Sequence, residues 1–216
     1  LLIDHAWGWE PGTIEAIKSY KPTTNSFSSG QVLLEPYTAK KARVVVREMA
    51  ESAALNLLDK GMVTNQLVLT IGYDVINLSN NGTDLKYIGE ITTDRYGRKV
   101  PKHAHGTTNL NSHTSSAKQI SDAVMDLFDK IVSPYLLIRR INLTTNNVID
   151  EGMAVNNNVS VQYDLFTDYE AVEKEMSIEK EKLDKERMVQ SAVLKIKKQF
   201  GKNAILKGFN YEEGAT

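Results

Sequence analysis

Apolar residues recur with a helical period in two segments of the chain. The first segment starts at Thr38, a residue type that caps helix N-termini, and stops at Gly61, a residue type that ends helices. The second starts at Ser115 or Ser116 and stops before Pro134. The positions with i, i+3, i+4, i+7 spacing are Ala42, Val45, Val46, Met49, Ala50, Ala53 and Leu57 in the first segment and Ile120, Ala123, Val124, Leu127, Phe128 and Ile131 in the second. Each segment is therefore predicted to be an amphipathic helix with one face on a core.

Other segments are rich in β-branched and aromatic residues, which is the composition of strands. They are 27–37, 66–75, 87–101 and 135–145. The third is predicted to be a strand or a long hairpin arm that ends at Pro101. With the two helices, the order is β-α-β-β-α-β, in which both helices cover one face of a four-stranded sheet. The sequence thus predicts an α+β fold whose other sheet face is open to a partner.

The pattern weakens on either side of this unit. Before it, Ile14 and Ile17 lie on one face of a short helix that Pro22 stops. After Ala154, a polar linker precedes 168–200, where apolar residues are spaced too thinly for a core helix. We expect a partly helical C-terminal tail, and the sequence leaves open whether it folds, pairs with another copy or stays mobile.

The composition is that of a soluble globular protein. The 216 residues are 41% hydrophobic and 25% charged, with a formal net charge of −1. Near-neutrality argues against a polycation wrapped on nucleic acid, although local basic patches remain open. The absence of cysteine rules out disulfides and thiolate metal sites and fits a reducing cytoplasm. The sequence contains no run of about 18 apolar residues, so no membrane-spanning helix is predicted. Because the sequence starts at Leu1 without Met, we expect it to be a piece of a longer protein.

Basic residues are concentrated in two places. The stretch RYGRKVPK at 95–102 has no acidic residue, and its density of cations fits phosphate binding. Arg139 and Arg140 follow one another in the last predicted strand, so one should lie on the helix-free face and the other should reach an edge. Ordinary solvated charge clusters are the alternative. Residues of the first strand that could donate hydrogen bonds to phosphate oxygens are Ser26, Ser28, Ser29 and Gly30.

The string HAH places His103 and His105 on one side of an extended strand, which raises the question of a metal site. No third ligand follows at a convincing spacing, because His5 and His113 lie in unrelated segments. Histidines of this kind more often lie in loops or act as neutral hydrogen-bond partners. No phosphate-binding loop, nucleophile elbow or dinucleotide fingerprint is present. The sequence therefore predicts no catalytic centre and no metal site.

Several long stretches of sequence, taken in their order along the chain, are more specific than the hydrophobic periodicity. They are LLIDHAWGWEP, IKSYKPTTNSFSSGQVL, TDRYGRKVPKHAHGT, LLIRRINLT and GKNAILKGFNYEEGAT. Together they resemble the C-terminal half of a bacterial Y-family translesion DNA polymerase of the UmuC-like kind. The resemblance implies the end of the thumb and a tether at 1–22, the little finger domain at 23–153 and a C-terminal tail at 154–216. It also implies a cytoplasmic parent enzyme that acts in DNA repair and damage tolerance, including the SOS response.

In that family the little finger grips the backbone of primer-template DNA across the major groove with its open sheet, without reading sequence. The residues that the resemblance carries over are Ser28, Ser29 and Gly30 on the first strand, Arg98 on the third, and Arg139 and Arg140 on the last. Electrostatics adds Lys21, Lys99 and Lys102. The palm carboxylates that bind two magnesium ions would precede this sequence. This fragment is thus expected to hold no cofactor and to polymerise nothing, although its parent is a DNA-directed DNA polymerase.

Residues 159–168, VSVQYDLFTD, place apolar residues in a polar neighbourhood. By the same resemblance, Gln162, Leu165 and Phe166 are similar to the motif of peptides that bind the bacterial sliding clamp, with Tyr163 where Leu is usual. Leu165 and Phe166 would fill an apolar pocket, while the Gln162 amide would satisfy polar groups at its rim. A short strand or hydrophobic patch that packs on the little finger is the alternative.

Two other functions remain open from the sequence. A protein interaction module would recruit another protein with its ferredoxin-like sheet and would self-associate through 168–199. A small metal-dependent enzyme would use the HAH pair. Neither predicts salt-dependent DNA binding, which separates both from the polymerase hypothesis. The sequence predicts no membrane partner, and it does not predict the oligomeric state or the lesion preference.

Overall fold

An antiparallel sheet with helices on one face organises the molecule. The computed structural model describes residues 3, 6–8, 12–20, 25–79, 87–154, 169–201 and 203–215. In chain order the elements are α1 (Ile14–Ser19), β1 (Phe27–Tyr37), α2 (Ala39–Asp59), β2 (Met62–Tyr73), a 3-10 helix (Val75–Leu78), β3 (Ile91–Thr93), β4 (Lys99–Pro101), β5 (Ala104–Thr114), α3 (Ala117–Ile131), β6 (Ile138–Asn146), β7 (Ile149–Asp150), α4 (Glu151–Ala154), α5 (Tyr169–Phe200) and a second 3-10 helix (Gly208–Tyr211).

The long strands lie in the order β1–β6–β2–β5, and each pairs with its neighbours in antiparallel fashion. The short strand β7 pairs with the beginning of β2. Helices α2 and α3 pack against each other and against the same face of this sheet. The predicted α+β fold, with two helices on one face of a four-stranded sheet, is confirmed.

Period-2 alternation decides which residues of each strand face the helices. In β2, Leu67, Leu69 and Ile71 have no solvent exposure, whereas Val68 and Thr70 between them are half-buried. The helices begin where the capping residues predict: the Thr38 hydroxyl accepts from Lys41 N, and the Ser116 hydroxyl accepts from Gln119 N. Apolar faces of helix and sheet thus meet in one core. Its fully buried larger side chains include Val45, Val46, Leu57, Leu67, Leu69, Ile71, Ile120, Val124, Ile138, Ile141 and Leu143.

One predicted strand is wrong in position. Residues 87–101 do not enter the main sheet, because they form a separate hairpin of β3 and β4. The fourth sheet strand is β5, with the sequence AHGTTNLNSHT. This strand carries few apolar residues. At Gly106, which faces the helices, the missing side chain lets α3 come close, since a Cβ there would lie 2.9 Å from Leu127 Cδ1. Hydrophobic alternation is therefore too weak to reveal it.

The C-terminal tail folds back onto the helices. Helix α5 continues unbroken over 32 residues. Its Glu186 carboxylate accepts hydrogen bonds from Ser116 Oγ at 2.7 Å and Lys118 N at 2.9 Å, and so caps α3. Arg187 forms an ion pair with Glu151. The expectation of a partly helical tail is confirmed, and Glu186 and Arg187 attach the C-terminal half of α5 to the domain.

The last described segment, 203–215, packs on α2. The Arg47 guanidinium lies 4.6 Å from the centre of the Phe209 ring. Lys41 Nζ lies 2.6 Å from Glu213 Oε1, and this hydrogen bond raises the pKa of Lys41 and lowers that of Glu213. Among the described residues, the tail therefore adds a further layer on the helix side, and none of it covers the opposite sheet face. Among the described helices, none combines the length and apolar character that a bilayer span requires.

Candidate nucleic-acid interface

The uncovered face of the sheet is lined by alternate residues of the four long strands. The pairing of the strands places on this open face Ser28, Gly30, Val32, Gln66, Val68, Thr70, Gly72, His105, Thr107, Asn109, Arg140, Asn142, Thr144 and Asn146. Hydroxyl and amide groups dominate the set, with a permanent cation at Arg140. The open face is thus polar and mainly neutral, and of the two basic stretches in the sequence only Arg140 lies on it.

Carboxylates are missing from this open face, although the chain contains 27 acidic and 26 basic residues. Within β1, β2, β5 and β6, Glu35 is the single acidic residue. It lies between Val32 and Tyr37, where the register of β1 against β6 shifts. A phosphate approaching the paired part of the open face therefore meets donors and no fixed negative charge.

Cross-strand hydrogen bonds hold several of these polar side chains in place. Ser28 Oγ and Thr144 Oγ1 are 2.9 Å apart, and Thr70 Oγ1 and His105 Nδ1 are also 2.9 Å apart. At the opposite end of the sheet from Arg140, Gln66 joins two neighbours. Its Nε2 donates to Asn109 Oδ1 at 2.9 Å, and its Oε1 accepts from Asn146 Nδ2 at 3.2 Å. Such pairs reduce the side-chain entropy that a bound backbone would otherwise have to remove.

The two adjacent arginines take the different positions that strand geometry predicts. Arg140 pairs with Gly72 and Val32 on the open face and is exposed. Arg139 lies where the register of β6 shifts against both neighbouring strands, and its partly exposed side chain contacts groups of its own chain. Arg139 Nη1 donates to Leu34 O at 2.9 Å, and Nε lies 3.7 Å from Asp74 Oδ2. Arg140 is therefore the better placed of the two to meet a phosphate.

The candidates on the first strand separate by face. Ser28 and Gly30 lie on the open face, opposite Thr144 and Asn142. Ser29 pairs with Leu143, so its side chain faces the helices and lines a cleft beside α2; the hydroxyl role expected for it is corrected. At Gly30, a Cβ would lie 2.3 Å from Asn142 Oδ1. A side chain at this position would have to displace the Asn142 amide from its place on the open face.

The cations of 95–102 lie in the β3–β4 hairpin and just after it, outside the main sheet. Arg98 is in the turn, which corrects its expected position on the third sheet strand, and its Nη2 lies 2.7 Å from Asp94 Oδ2. Lys102 Nζ lies 2.7 Å from Glu90 Oε2, and this hydrogen bond raises the pKa of Lys102. Lys99 is exposed on β4. Partnered cations are less available to a phosphate than the exposed Lys99.

The histidine pair lies at the start of β5. The rings of His103 and His105 are 6.4 Å apart and nearly perpendicular. Among the described residues, no group of three or more His, Cys, Asp or Glu side chains could hold a metal ion. His105 instead forms a hydrogen bond with Thr70 on the open face. Of the other predicted site residues, Lys21, Gln162, Leu165 and Phe166 lie outside the residues that the structure describes.

Several open-face residues were missed by reasoning from sequence. Asn142 and Thr144 lie on the strand of Arg140, and Thr107 and Asn109 lie on the strand that was not predicted. Counting every second residue from Arg140 would have found the first two. The alternation of β5 does not mark the others, because Gly106 and Thr108 interrupt its helix-facing side and leave little contrast with its polar side.

These features define an α+β domain whose antiparallel sheet offers an acid-free polar face. The chain belongs to the impB/mucB/samB family, because the model of the family's C-terminal domain matches residues 24–165. This domain is the little finger of Y-family DNA polymerases.

Matching solved structures include the insertion ternary complex and the post-insertion binary complex of Dbh DNA polymerase. Their sequences are 10% and 12% identical to this chain, with TM-scores of 0.36 and 0.34, and each match covers 62% of this chain. The match covers 33% of each polymerase, so the chain spans about a third of their length. A similarity this low supports no conclusion about function. No curated protein sequence matches the chain.

Proposed function

We propose that this chain is the DNA-gripping part of a translesion polymerase that acts in DNA repair. Its open face binds the sugar-phosphate backbone of primer-template DNA and holds the template near an active site in another part of the parent protein. The polymerase chemistry, with its palm carboxylates and two magnesium ions, belongs to that other part. Family membership supports this assignment, and so does the acid-free open face.

The observation that carries the proposal is the contrast between the open face and the rest of the chain. A chain with more acidic than basic residues would repel a polyanion unless it presented a surface without carboxylates. The paired strands present such a surface, with Arg140 at one end and fixed hydroxyls and amides along it. Hydroxyl and amide donors position a DNA backbone and carry no base information, which suits an enzyme that must tolerate a distorted template.

Fluorescence anisotropy with labelled primer-template DNA at several salt concentrations tests the proposal. We expect affinity to fall with salt, and Arg140→Ala to reduce the slope of log K against log salt by about 0.9, the value of one phosphate contact. Lys195→Ala is the matched control, because Lys195 is an exposed cation of α5 on the helix side. Binding that ignores salt, or equal effects of the two substitutions, would refute the proposed face.

The second part of the proposal is that Gln162, Leu165 and Phe166 dock the parent enzyme on a sliding clamp. The support is the spacing of the glutamine and the Leu-Phe pair in the sequence. Tethering would raise the local concentration of polymerase at the primer without any new DNA contact. Since the motif precedes α5, whose C-terminal half is anchored to the domain, clamp and DNA could be held by one continuous piece of chain.

Surface plasmon resonance with an immobilised bacterial sliding clamp tests this part. The double substitution of Leu165 and Phe166 by Ala should abolish clamp binding, because these side chains supply the apolar anchors. DNA affinity and the unfolding curve should not change. A lost fold would show instead that the pair belongs to the core. Tyr163→Leu should strengthen binding by restoring the commoner residue.

The interaction-module hypothesis makes the opposite predictions. It requires self-association through 168–199 and no affinity for DNA, which light scattering and the anisotropy titration would reveal. In the structure, the C-terminal half of α5 is engaged by its own chain through Glu186 and Arg187. A self-associating arm would have to add to these contacts or replace them.

A further inference from the structure

The turn of the β3–β4 hairpin is closed by hydrogen bonds to Asp94. Its Oδ1 accepts hydrogen bonds from Tyr96 N and Arg98 N, both at 2.9 Å, and its Oδ2 accepts from Arg98 Nε at 2.8 Å. Asp94 N donates to Arg98 O at 2.9 Å, and Gly97 takes a positive φ of 77° that closes the turn. Burial would raise the pKa of Asp94, but the bonds from Arg98 and Tyr96 outweigh it and lower that pKa. The carboxylate thus keeps the turn closed at neutral pH.

This turn presents an aromatic ring to solvent. The side chain of Tyr96 is at the tip, and the residue is 76% exposed. The Arg98 guanidinium lies 5.3 Å from the centre of its ring, which limits the directions the ring can take. An exposed aromatic side chain normally loses conformational entropy when it binds a ligand. The Tyr96 ring loses less, because the closed turn and the neighbouring arginine already restrict it.

The surroundings of the ring are cationic. Arg95, Arg98 and Lys99 are all exposed, and Asp94, the one acidic residue between 94 and 99, is occupied by the turn. An exposed aromatic ring among cations is the arrangement with which proteins bind single-stranded nucleic acid, because bases stack on the ring and phosphates meet the charges. A protein partner of this tip would have to be acidic, and a base-paired duplex would hide the base faces from the ring.

The hairpin joins the sheet at the end where Arg140 lies. Its base is closed by Lys102 N, which donates to Glu90 O at 2.8 Å. Strand β5 begins at Ala104, opposite Ile71, and the next residue of β2, Gly72, pairs with Arg140. The tip and the cationic end of the open face therefore belong to the same end of the domain, so one DNA molecule could reach both.

We propose that the hairpin tip is a second DNA site that binds an unpaired template strand, with Tyr96 stacking on a base and Arg95 and Lys99 meeting the flanking phosphates. The proposal rests on the proposed function, since the open face would hold the paired part of the same DNA. It assigns to the hairpin a task that a backbone-gripping sheet does not perform, the recognition of single-stranded rather than duplex DNA.

The test compares blunt duplex DNA, primer-template DNA with a single-stranded overhang, and a free single strand, each in anisotropy titrations of this chain. A 2-aminopurine in the overhang reports stacking through loss of its fluorescence. We expect the overhang to add affinity in the unmodified chain and Tyr96→Ala to weaken overhang binding about tenfold, the scale of one stacked base. Tyr96→Phe should retain both affinity and quenching, because it keeps the ring.

Tyr211→Ala is the matched control. Tyr211 is 78% exposed, close to the exposure of Tyr96, but it lies in the C-terminal segment on the helix side. The hairpin proposal is overturned if the overhang adds nothing, if the 2-aminopurine is not quenched, or if Tyr96→Ala and Tyr211→Ala behave alike. If Arg140→Ala leaves the affinity for the blunt duplex unchanged, while overhang binding and its weakening by Tyr96→Ala persist, the open-face function is rejected and the hairpin site is kept. A chain that binds none of the three DNAs overturns both.

Discussion

The two sides of the sheet differ in whether their charged side chains are paired with opposite charges. On the helix side, charged groups meet opposite charges: Arg43 with Asp129, Arg187 with Glu151, and Lys207 with Glu51. On the open face, the paired strands carry no carboxylate, and the exposed Arg140 lies among hydroxyl and amide groups. These pairs satisfy charges of the helix side within the chain, whereas Arg140 is exposed on the open face, where an external anion can meet it.

The net charge of the chain is close to zero, but acidic groups are paired with cations on the helix side and are missing from the paired strands of the open face. The Arg43 guanidinium lowers the pKa of Asp129 through a side-chain hydrogen bond, so both groups stay charged and paired at neutral pH. Exposed pairs of this kind contribute little to stability, about 0–1 kcal/mol each. For DNA binding, what matters is that these carboxylates lie on the helix side, away from the open face, and are each paired with a cation.

The largest expected effect is on stability, and it differs between the two faces of β2 because only one of them is packed against the helices. Leu69→Ala should lower the free energy of unfolding by about 2–5 kcal/mol, because Leu69 is completely buried against the helices. Its neighbour Val68 lies on the open face and is half-buried, so Val68→Ala should cost less than about 1 kcal/mol. Urea unfolding followed by circular dichroism measures both. Equal losses at the two positions would mean that the open face is covered in solution.

The helix-side core could be predicted from the sequence because it follows from periodicity. The two long helices, their capping residues and strands β1, β2 and β6 appear with the expected alternation. Strand β5 could not be predicted, since Gly106 takes the place of an apolar residue and its other face is polar. The docking of α5 was equally hidden, because Glu186 caps a helix more than sixty residues earlier in the chain.

The next effect concerns the missing carboxylates of the open face. Asn142→Asp places a negative charge there with almost no change of shape and should weaken binding of primer-template DNA roughly tenfold, as expected for a like charge near a phosphate at a partly screened surface. Gln199→Glu adds the same charge to an exposed position of α5 and should change the affinity little. Anisotropy at low salt measures both. Equal losses would show that net charge, and not the face, controls binding.

The candidate site could be predicted only in part, for reasons that individual residues show. Arg140 and Ser28 were among the residues that the resemblance carried over, and the strand pairing places both of them on the open face. Ser29 was assigned a role beside Ser28, although consecutive strand residues point to opposite faces. Arg98 was placed on a sheet strand because its hairpin has the composition of one, and only the pairing of β3 with β4 shows otherwise.

The smallest expected effect tests whether the ion pairs of the helix side hold the tail in place. The side-chain hydrogen bond from Arg187 lowers the pKa of Glu151, and burial only partly opposes this. Because the folded pKa lies below the unfolded one, the stabilisation is complete above the unfolded pKa of a glutamate, about 4.3, and is lost as the pH falls through the lowered folded value. Arg187→Ala should therefore reduce the free energy of unfolding by up to about 1 kcal/mol at pH 7, and by a smaller amount as the solution becomes strongly acidic. Urea unfolding at a series of pH values measures this difference, with Lys195→Ala as the control whose difference from the unmodified chain should not follow the titration of Glu151. A loss from Arg187→Ala that stays constant with pH would show that its alkyl stem, and not its charge, docks α5.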